Sequence, residues 1–274
     1  MKLINCGCGA KYYISDEWEN IDFNSHSHFV KKVNLLKGLP YQDESVDLVF
    51  SSCLLEHFDL NQASFFLDEI FRCLKKDGII RIVVPDLENI CREYLKQLDI
   101  VKREDTEENQ LKYEYILIEL IDQMSRKVSG GEMLRYWERE KRDDDYISER
   151  TGIPEIENNL TSQESLALVV KSKICGYINK CFGNIKLFQM FKQGRFQMSG
   201  EVHRWMYDSY NLGKELERHG FEDVKYMKFN ESNCPNWNEY GLEVNEDGTE
   251  YKPNSLYIEA RKNNNIDKIL KGLV

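Results

Sequence analysis

Leu3-Ile4-Asn5-Cys6-Gly7-Cys8-Gly9 has the pattern of a short apolar strand that runs directly into two glycines. Glycine has no Cβ, so the backbone at Gly7 and Gly9 can approach a ligand closely. An acid, Asp22, ends the next apolar run, where its carboxylate can accept both hydroxyls of a ribose. This arrangement suits a cofactor that contains adenosine.

Outside this segment, apolar runs predict further strands that alternate with helices. Val46 to Ser52 is nearly all apolar, as a central parallel strand should be. Apolar residues at helical spacing predict a helix over 61–76, capped by Asp59 or Asn61, with Lys75 and Lys76 in its last turn. The other predicted strands of this half are 2–6, 19–23, 30–34 and 79–84. The alternation indicates a parallel sheet that is covered on both faces.

Only about a dozen residues separate Gly9 from Asp22, which is short for a full crossover helix. We therefore expect one or two helical turns at most between the first two strands. A ligand carboxylate bound there would receive less help from a helix N-terminus than is usual.

The second half begins with residues 87 to about 200, which are strongly charged and mostly of helical pattern. Helices are predicted through Ile90–Val101 and Leu111–Met124, and a capping box at Thr161–Glu164 precedes a third. Residues 130–152 are rich in charge and predict a loop, in which Asp143-Asp144-Asp145 is simply solvated. A helix at 208–219 and strands at 221–229 and 255–261 follow, with a long loop between those strands.

Composition excludes several classes of protein. The formal net charge of −10 argues against a nucleic acid as the main partner. The eight cysteines lack zinc-site spacing, which indicates free thiols in a reducing cytoplasm. No apolar run is long enough to span a bilayer, and the first residues lack a signal-peptide pattern. We therefore expect a cytoplasmic protein without a metal site.

Three segments in order carry a family resemblance: Gly38 to Ser52, Leu54 to Phe58, and Ile70 to Gly78. They resemble the middle of class I S-adenosylmethionine-dependent methyltransferases of the type 11-like group. The resemblance covers about residues 1–98 and resumes near residue 203.

This resemblance implies a Rossmann-like, mostly parallel seven-stranded α/β sheet with helices on both faces and a large helical insertion after the fifth strand. Residues 1–98 would form the cofactor-binding core, and residues 201–274 would complete its sheet. Residues 99–200 would be the insertion, serving as a lid, a substrate site or a dimer contact. The sequence does not decide whether a homodimer forms.

The resemblance also implies which residues bind S-adenosylmethionine. Asp22 would hold the ribose, and Gly7 and Gly9 would pass under the cofactor. Asn34 and Leu35 stand beside the adenine, although Asn34 replaces the acid that the family commonly has there. The full predicted set is Cys6, Gly7, Gly9, Asp22, Asn34, Leu35, Ser51 and Ser52.

Two histidines are candidates for the base that an acceptor hydroxyl would need, because histidine titrates near neutral pH. His57 lies just past the fourth strand, and His203 lies where the insertion rejoins the core. Each could instead have only a structural role. Residues near them predict the acceptor site: Glu56, Asp86, Arg204, Trp205 and Tyr207.

The segment Glu201 to Asp208, the short first crossover and the closing Asn254 to Ala260 strand resemble family members associated with surface polysaccharides. They imply O-methylation of a sugar hydroxyl or a glycan precursor. The absence of an Asn-Pro-Pro-aromatic sequence after the fourth strand disfavours methylation of an exocyclic base nitrogen. Two alternatives stay open: a small amine or phosphorylated metabolite as acceptor, or a non-catalytic protein that binds the cofactor and a partner.

Overall fold

The computed structural model describes residues 1–25, 27–153 and 186–263. The chain divides into two compact units. The first contains residues 1–91 and 204–274, and the second contains residues 92–203. Each unit is built around its own apolar core.

A seven-stranded sheet forms the first unit, with the strand order β3-β2-β1-β4-β5-β7-β6. β1 to β5 are parallel, and β7 runs antiparallel to both of its neighbours. This confirms the predicted Rossmann-like, mostly parallel α/β fold. The strands are β1 (Leu3–Cys6), β2 (Trp18–Asp22), β3 (Val30–Lys32), β4 (Val46–Ser52), β5 (Leu74–Pro85), β6 (Phe221–Met227) and β7 (Ser255–Lys262).

The register of the central strands places their carboxyl ends side by side. Cys6 at the end of β1 pairs with Ile21 on β2 and with Ser51 on β4. The residues that follow these three strands therefore lie at one edge of the sheet, which is where open α/β sheets bind ligands.

Helix α1 (Leu60–Cys73) begins with a capping box. The Asp59 side chain accepts from the backbone N–H of Gln62, and the Gln62 side chain accepts from the backbone N–H of Asp59. The prediction that Lys75 and Lys76 lie in its last turn is wrong. Leu74 already has extended backbone angles and pairs with Val46 on β4, so the two lysines belong to β5.

A long loop, residues 228–254, joins β6 to β7 and covers one face of the sheet. Its Cys234, Trp237 and Leu242 pack against Leu3 and Phe50 in a dedicated apolar cluster. Trp237 lies in a single helical turn, Trp237–Tyr240. This loop gives the sheet an apolar cover that the short first crossover does not supply.

The second unit is helical. The region 130–152, predicted to be a loop, contains two short helices, so that prediction is wrong. The reason is packing: Tyr136 and Tyr146 are buried against Tyr115, and Asp143 caps the second of these helices instead of being merely solvated. The helices are α2 (Leu87–Arg103), in which the first boundary between the units falls, α3 (Glu107–Ser125), α4 (Gly131–Trp137), α5 (Asp144–Thr151) and α6 (Lys186–Gln197).

Two predictions from this region have different outcomes. The helices expected through Ile90–Val101 and Leu111–Met124 are confirmed as α2 and α3. The capping box at Thr161–Glu164 and the helix after it lie outside the described residues. None of the described helices is long and apolar enough to cross a membrane.

Candidate functional site

The turn after β1 brings the backbone close to the turn after β4. Gly7 has φ +68°, and a Cβ placed there would lie 2.9 Å from the Leu54 side chain. Gly7 is therefore needed both for its left-handed conformation and for space. Gly9 has φ +52°, with nothing within 4 Å of the position that a Cβ would take. Gly9 thus borders open space in which a ligand can approach the backbone.

The segment between Gly9 and β2 forms no helix in residues 10–17, which is within the predicted limit of one or two helical turns. Two buried asparagines hold it instead. Asn5 on β1 donates to the Lys11 carbonyl at 3.1 Å, and Asn20 on β2 donates to the Tyr13 carbonyl at 2.9 Å. These side chains replace part of the hydrogen bonding that a helix would supply. Neither asparagine belongs to the predicted site, although both lie at inward positions of predicted strands.

Asp22, predicted to hold the ribose, ends β2 and is held in place by the turn after β1. Its Oδ2 accepts from the Gly9 N–H at 3.0 Å, and its Oδ1 accepts from the Asn24 N–H at 2.9 Å. A carboxylate has about four acceptor positions, so two remain for ribose hydroxyls. Asp22 and Gly9 are thereby fixed next to each other at the end of β1.

The other predicted cofactor residues around β1 and β3 differ in exposure. Asn34 is exposed, and its Oδ1 accepts from the Leu36 N–H at 3.1 Å, which caps a short helical turn. Its amide nitrogen remains available as a donor. Leu35 and Cys6 are fully buried in the apolar core. Burial and the neighbouring thiols of Cys73 and Cys8 raise the pKa of Cys6, so it stays a thiol and acts by packing.

The carboxyl end of β4 gathers polar groups. Ser51 is buried, and its hydroxyl has no hydrogen-bond partner among the described residues. Ser52 ends the strand, and Cys53 follows with φ +50°, an uncommon angle for a residue with a side chain. This turn directs the chain through Leu54 into the helical turn Leu55–His57, which carries Glu56 and His57.

Glu56 is the most unusual group at this edge. Its side chain is only 1% exposed, and neither carboxylate oxygen has a partner of hydrogen-bond geometry among the described residues. Burial raises the pKa of Glu56 to about 7, although its own backbone N–H, Lys252 and the nearby Cys53 thiol act to lower it. One of its oxygens lies within 4.8 Å of a ring nitrogen of His57. Glu56 can therefore change its protonation state near neutral pH.

Lys252 is a residue that sequence reasoning missed. It comes from the end of the 228–254 loop, next to Tyr251, whose ring lies 5.9 Å from its ammonium. Burial acts to lower its pKa, but the Cys53 thiol and the Glu56 carboxylate outweigh burial, and the pKa is raised. Lys252 is thus a charged ammonium beside the turn after β4. No motif surrounds it, so only the fold reveals its position.

The segment Arg204–Tyr207 is fixed to the same edge of the sheet. The Glu56 carbonyl accepts from the N–H groups of Arg204 and Trp205 at 2.7 and 3.2 Å. Asp86, just after β5, forms a bridge with Tyr207, and the Leu87 N–H donates to the Tyr207 carbonyl at 2.8 Å. All five residues predicted for the acceptor, Glu56, Asp86, Arg204, Trp205 and Tyr207, therefore belong to the first unit and are linked through the backbone.

The side chains on this segment differ in character. Trp205 is 40% exposed, whereas Tyr207 is buried and its hydroxyl has no partner among the described residues. Burial raises the pKa of Asp86, with Glu88 and Asp208 adding to the effect. The edge thus offers an accessible aromatic face beside buried polar groups.

His203, the second candidate base, is described with the second unit. It is buried, and its N–H donates to the Gln123 carbonyl of α3 at 3.0 Å. The nearby Glu201 accepts from the Gly130 N–H at 2.8 Å and pairs with Arg126 at 3.4 Å. These contacts anchor the chain on α3 just before it returns to the sheet. Of the two histidines, His57 is the one that belongs to the same unit as the glycine turn.

Part of the chain is similar to known proteins. Residues 7–82 match the family model described as a methyltransferase domain. No curated protein matches the chain. A SAM-dependent methyltransferase from Archaeoglobus fulgidus is 14% identical, with 95% of this chain and 86% of that chain covered and a TM-score of 0.39. A SAM-dependent methyltransferase from Thermotoga maritima, called a possible histamine N-methyltransferase, is 13% identical, with 95% and 82% covered and a TM-score of 0.39.

The matched residues include Gly7, Gly9, Asp22 and the whole turn after β4. Over residues 7–82 the chain is thus similar to a methyltransferase domain, for which S-adenosylmethionine is the predicted cofactor. Three features of the site fit S-adenosylmethionine. There is open space at Gly9, the Asp22 carboxylate is fixed beside it, and buried polar atoms at the end of β4 have no partners among the described residues. The match does not identify the acceptor.

Proposed function

We propose that this protein transfers a methyl group from S-adenosylmethionine to a hydroxyl of a sugar or glycan precursor. The observation that carries the proposal is the segment Arg204–Tyr207, held across the ends of β4 and β5. It combines the accessible Trp205 ring with the buried Tyr207 hydroxyl. An aromatic face against apolar C–H groups, together with a few placed polar groups, suits a polar ring-shaped ligand.

The residues of the first unit then have separate tasks. Asp22 accepts hydrogen bonds from the ribose, and Gly7 and Gly9 let the backbone lie against the cofactor. When bound, S-adenosylmethionine supplies a methyl group that its positively charged sulfur has already activated. The protein therefore has to orient the acceptor and exclude water more than it has to activate the methyl group.

A hydroxyl acceptor must lose a proton as its oxygen is methylated. His57 takes this proton in our proposal, because an imidazole accepts protons near neutral pH and the adjacent Glu56 carboxylate favours the charged form. Tyr207 orients the acceptor through its hydroxyl, and Trp205 stacks on it. His203 remains the alternative base predicted from the sequence.

The test is an acceptor screen with the full chain. Purified protein is incubated with S-adenosylmethionine and separate panels of nucleotide sugars, simple glycosides and small amines, and the products are read by mass spectrometry. We expect methylation of a sugar hydroxyl. Trp205→Ala should raise KM, and Tyr207→Phe should lower kcat/KM by about tenfold, the cost of one lost hydrogen bond to substrate.

The matched control is Tyr226→Phe, which removes a hydroxyl that donates to the Ser209 carbonyl on the exposed side of the unit. It should leave kcat/KM unchanged. Methylation of amines alone would contradict the sugar proposal and favour the alternative in which the acceptor is a small amine. Cofactor binding without methylation in any panel would favour the non-catalytic alternative.

A further inference from the structure

A buried acid, Glu56, and a half-buried ammonium, Lys252, lie beside the glycine turn. Glu56 has no partner of hydrogen-bond geometry on either oxygen among the described residues. Lys252 acts on it electrostatically, since its presence lowers the pKa of Glu56. A buried polar group left without a partner in a native protein calls for an explanation, and an absent ligand is one.

Their position connects them with the cofactor turn. Cys53 lies beside both groups, and the next residue, Leu54, is the one that a Cβ on Gly7 would strike at 2.9 Å. The pair is therefore held where the turn after β4 meets the turn after β1. Lys252 arrives from the opposite end of the chain, on the loop that precedes β7.

The way the chain leaves β1 explains why side-chain charges are needed here. In a common α/β arrangement, the N-terminus of the first crossover helix attracts a negative group of the ligand. Residues 10–17 form no helix, so this source of positive potential is missing. A lysine at the same edge of the sheet can supply a full positive charge in its place.

S-adenosylmethionine ends in an amino acid that carries an α-ammonium and an α-carboxylate. We propose that Glu56 and Lys252 bind this end, Glu56 contacting the α-ammonium and Lys252 the α-carboxylate. The proposal rests on the cofactor of the proposed function and assigns Glu56 to the cofactor instead of the acceptor. The α-ammonium would then be the hydrogen-bond partner of the Glu56 oxygens. Each charged group of the amino acid would contact a protein side chain of the opposite charge.

The experiment is calorimetric titration of the full chain with two ligands. S-adenosylhomocysteine carries the amino acid, whereas 5′-methylthioadenosine shares the adenosine and thioether but lacks it. We expect the wild type to bind S-adenosylhomocysteine more tightly. Glu56→Gln and Lys252→Met should each lower the affinity for S-adenosylhomocysteine by about tenfold or more, as expected for a lost charged contact. Each should leave the affinity for 5′-methylthioadenosine within about twofold of the wild type.

The control variants remove a part-buried ion pair at the other end of the same strand. Asp47 at the start of β4 pairs with Lys75 at 2.9 Å. Asp47→Asn and Lys75→Met change charge as the test variants do, and they should keep the wild-type ratio of the two affinities. Retained 5′-methylthioadenosine binding shows that a variant has folded with an intact nucleoside site.

Three outcomes would overturn the proposal, and they are distinguishable. If S-adenosylhomocysteine binds the variants and the wild type equally, Glu56 and Lys252 do not contact the amino acid. If the test variants lose affinity for both ligands equally, the two residues stabilise the binding site without contacting the amino acid. If the wild type binds neither ligand, the cofactor assignment itself fails, and this inference fails with it.

Discussion

The guanidinium of Arg81 on β5 lies 2.5 Å from the carboxylate of Glu243 in the 228–254 loop, measured from Nη2 to Oε2. Both side chains are buried. Arg81 also contacts Glu259 on β7 at 2.7 Å and donates to the Lys228 and Glu231 carbonyls. One buried arginine thus attaches the loop that carries Lys252 to the centre of the sheet.

Replacing this arginine should destabilise the protein strongly. Arg81→Met leaves two buried carboxylates without their cation, and breaking a buried ion pair from one side costs about 3–5 kcal/mol. Urea denaturation measures the free energy of unfolding. The control is Arg261→Met on the neighbouring strand β7, whose guanidinium makes an exposed contact with the Asp77 carbonyl. The control should cost less than about 1 kcal/mol, and equal losses in both variants would contradict the role of Arg81.

The protonation of Glu56 predicts how stability depends on pH. Burial raises its pKa from 4.5 to about 7 in the folded protein. The folded state therefore holds this proton more tightly than the unfolded state, and stability is lost as pH rises from about 4.5 to about 7. The full difference is on the order of 3 kcal/mol.

Glu56→Gln isolates this effect, since glutamine resembles the protonated acid and does not titrate. Without ligand, the variant and the wild type should be equally stable near pH 4.5, and the variant should be the more stable above pH 7. Urea denaturation across this range checks the prediction. Within the first unit, Lys252, Cys53, His57 and Tyr207 face Glu56, and all four are unchanged in the variant. A difference that stays constant with pH would show that Glu56 does not titrate there.

The sequence predicted the sheet well because its strands carry their own pattern. The apolar run over β4 gave both ends of that strand correctly. The end of α1 was wrong because lysines are typical of a last helical turn, whereas pairing of Leu74 with Val46 draws the chain into β5 early. In the same way, burial of Tyr136 and Tyr146 produces helices in a segment whose charge predicts a loop.

The candidate site was only partly predictable, for a physical reason. Gly7, Gly9 and Asp22 lie close in sequence, so their spacing reflects their geometry. Lys252 lies about 200 residues from Cys53 and has no motif around it. Its place depends on the Arg81–Glu243 contact, which is a tertiary interaction between distant segments. Sequence patterns do not register such contacts.

The two glycines after β1 should respond differently to alanine. Gly7→Ala adds a Cβ 2.9 Å from Leu54 to a left-handed backbone, so it should lower the free energy of unfolding by more than the strain of about 1–2 kcal/mol alone. Gly9→Ala has the same kind of strain but open space around it. It should cost only that strain, yet weaken S-adenosylhomocysteine binding, because the new methyl group occupies the space of the ligand. Denaturation and calorimetry on both variants check this, and unchanged affinity in Gly9→Ala would remove Gly9 from the site.

Asp22 provides the sharpest test of the ribose contact. Asp22→Ala removes the acceptor for the ribose hydroxyls and the partner of the Gly9 and Asn24 N–H groups. We expect affinity for both S-adenosylhomocysteine and 5′-methylthioadenosine to fall by about tenfold or more, because both ligands carry the ribose and each charged hydrogen bond is worth about 1.5–3 kcal/mol. Asp16→Ala, in an exposed acid of the same crossover, should leave both affinities unchanged. The two ligands distinguish the sites, since loss at Asp22 should be common to both and loss at Glu56 should be confined to the ligand with the amino acid. Equal binding by Asp22→Ala and the wild type would mean that the ribose is held elsewhere.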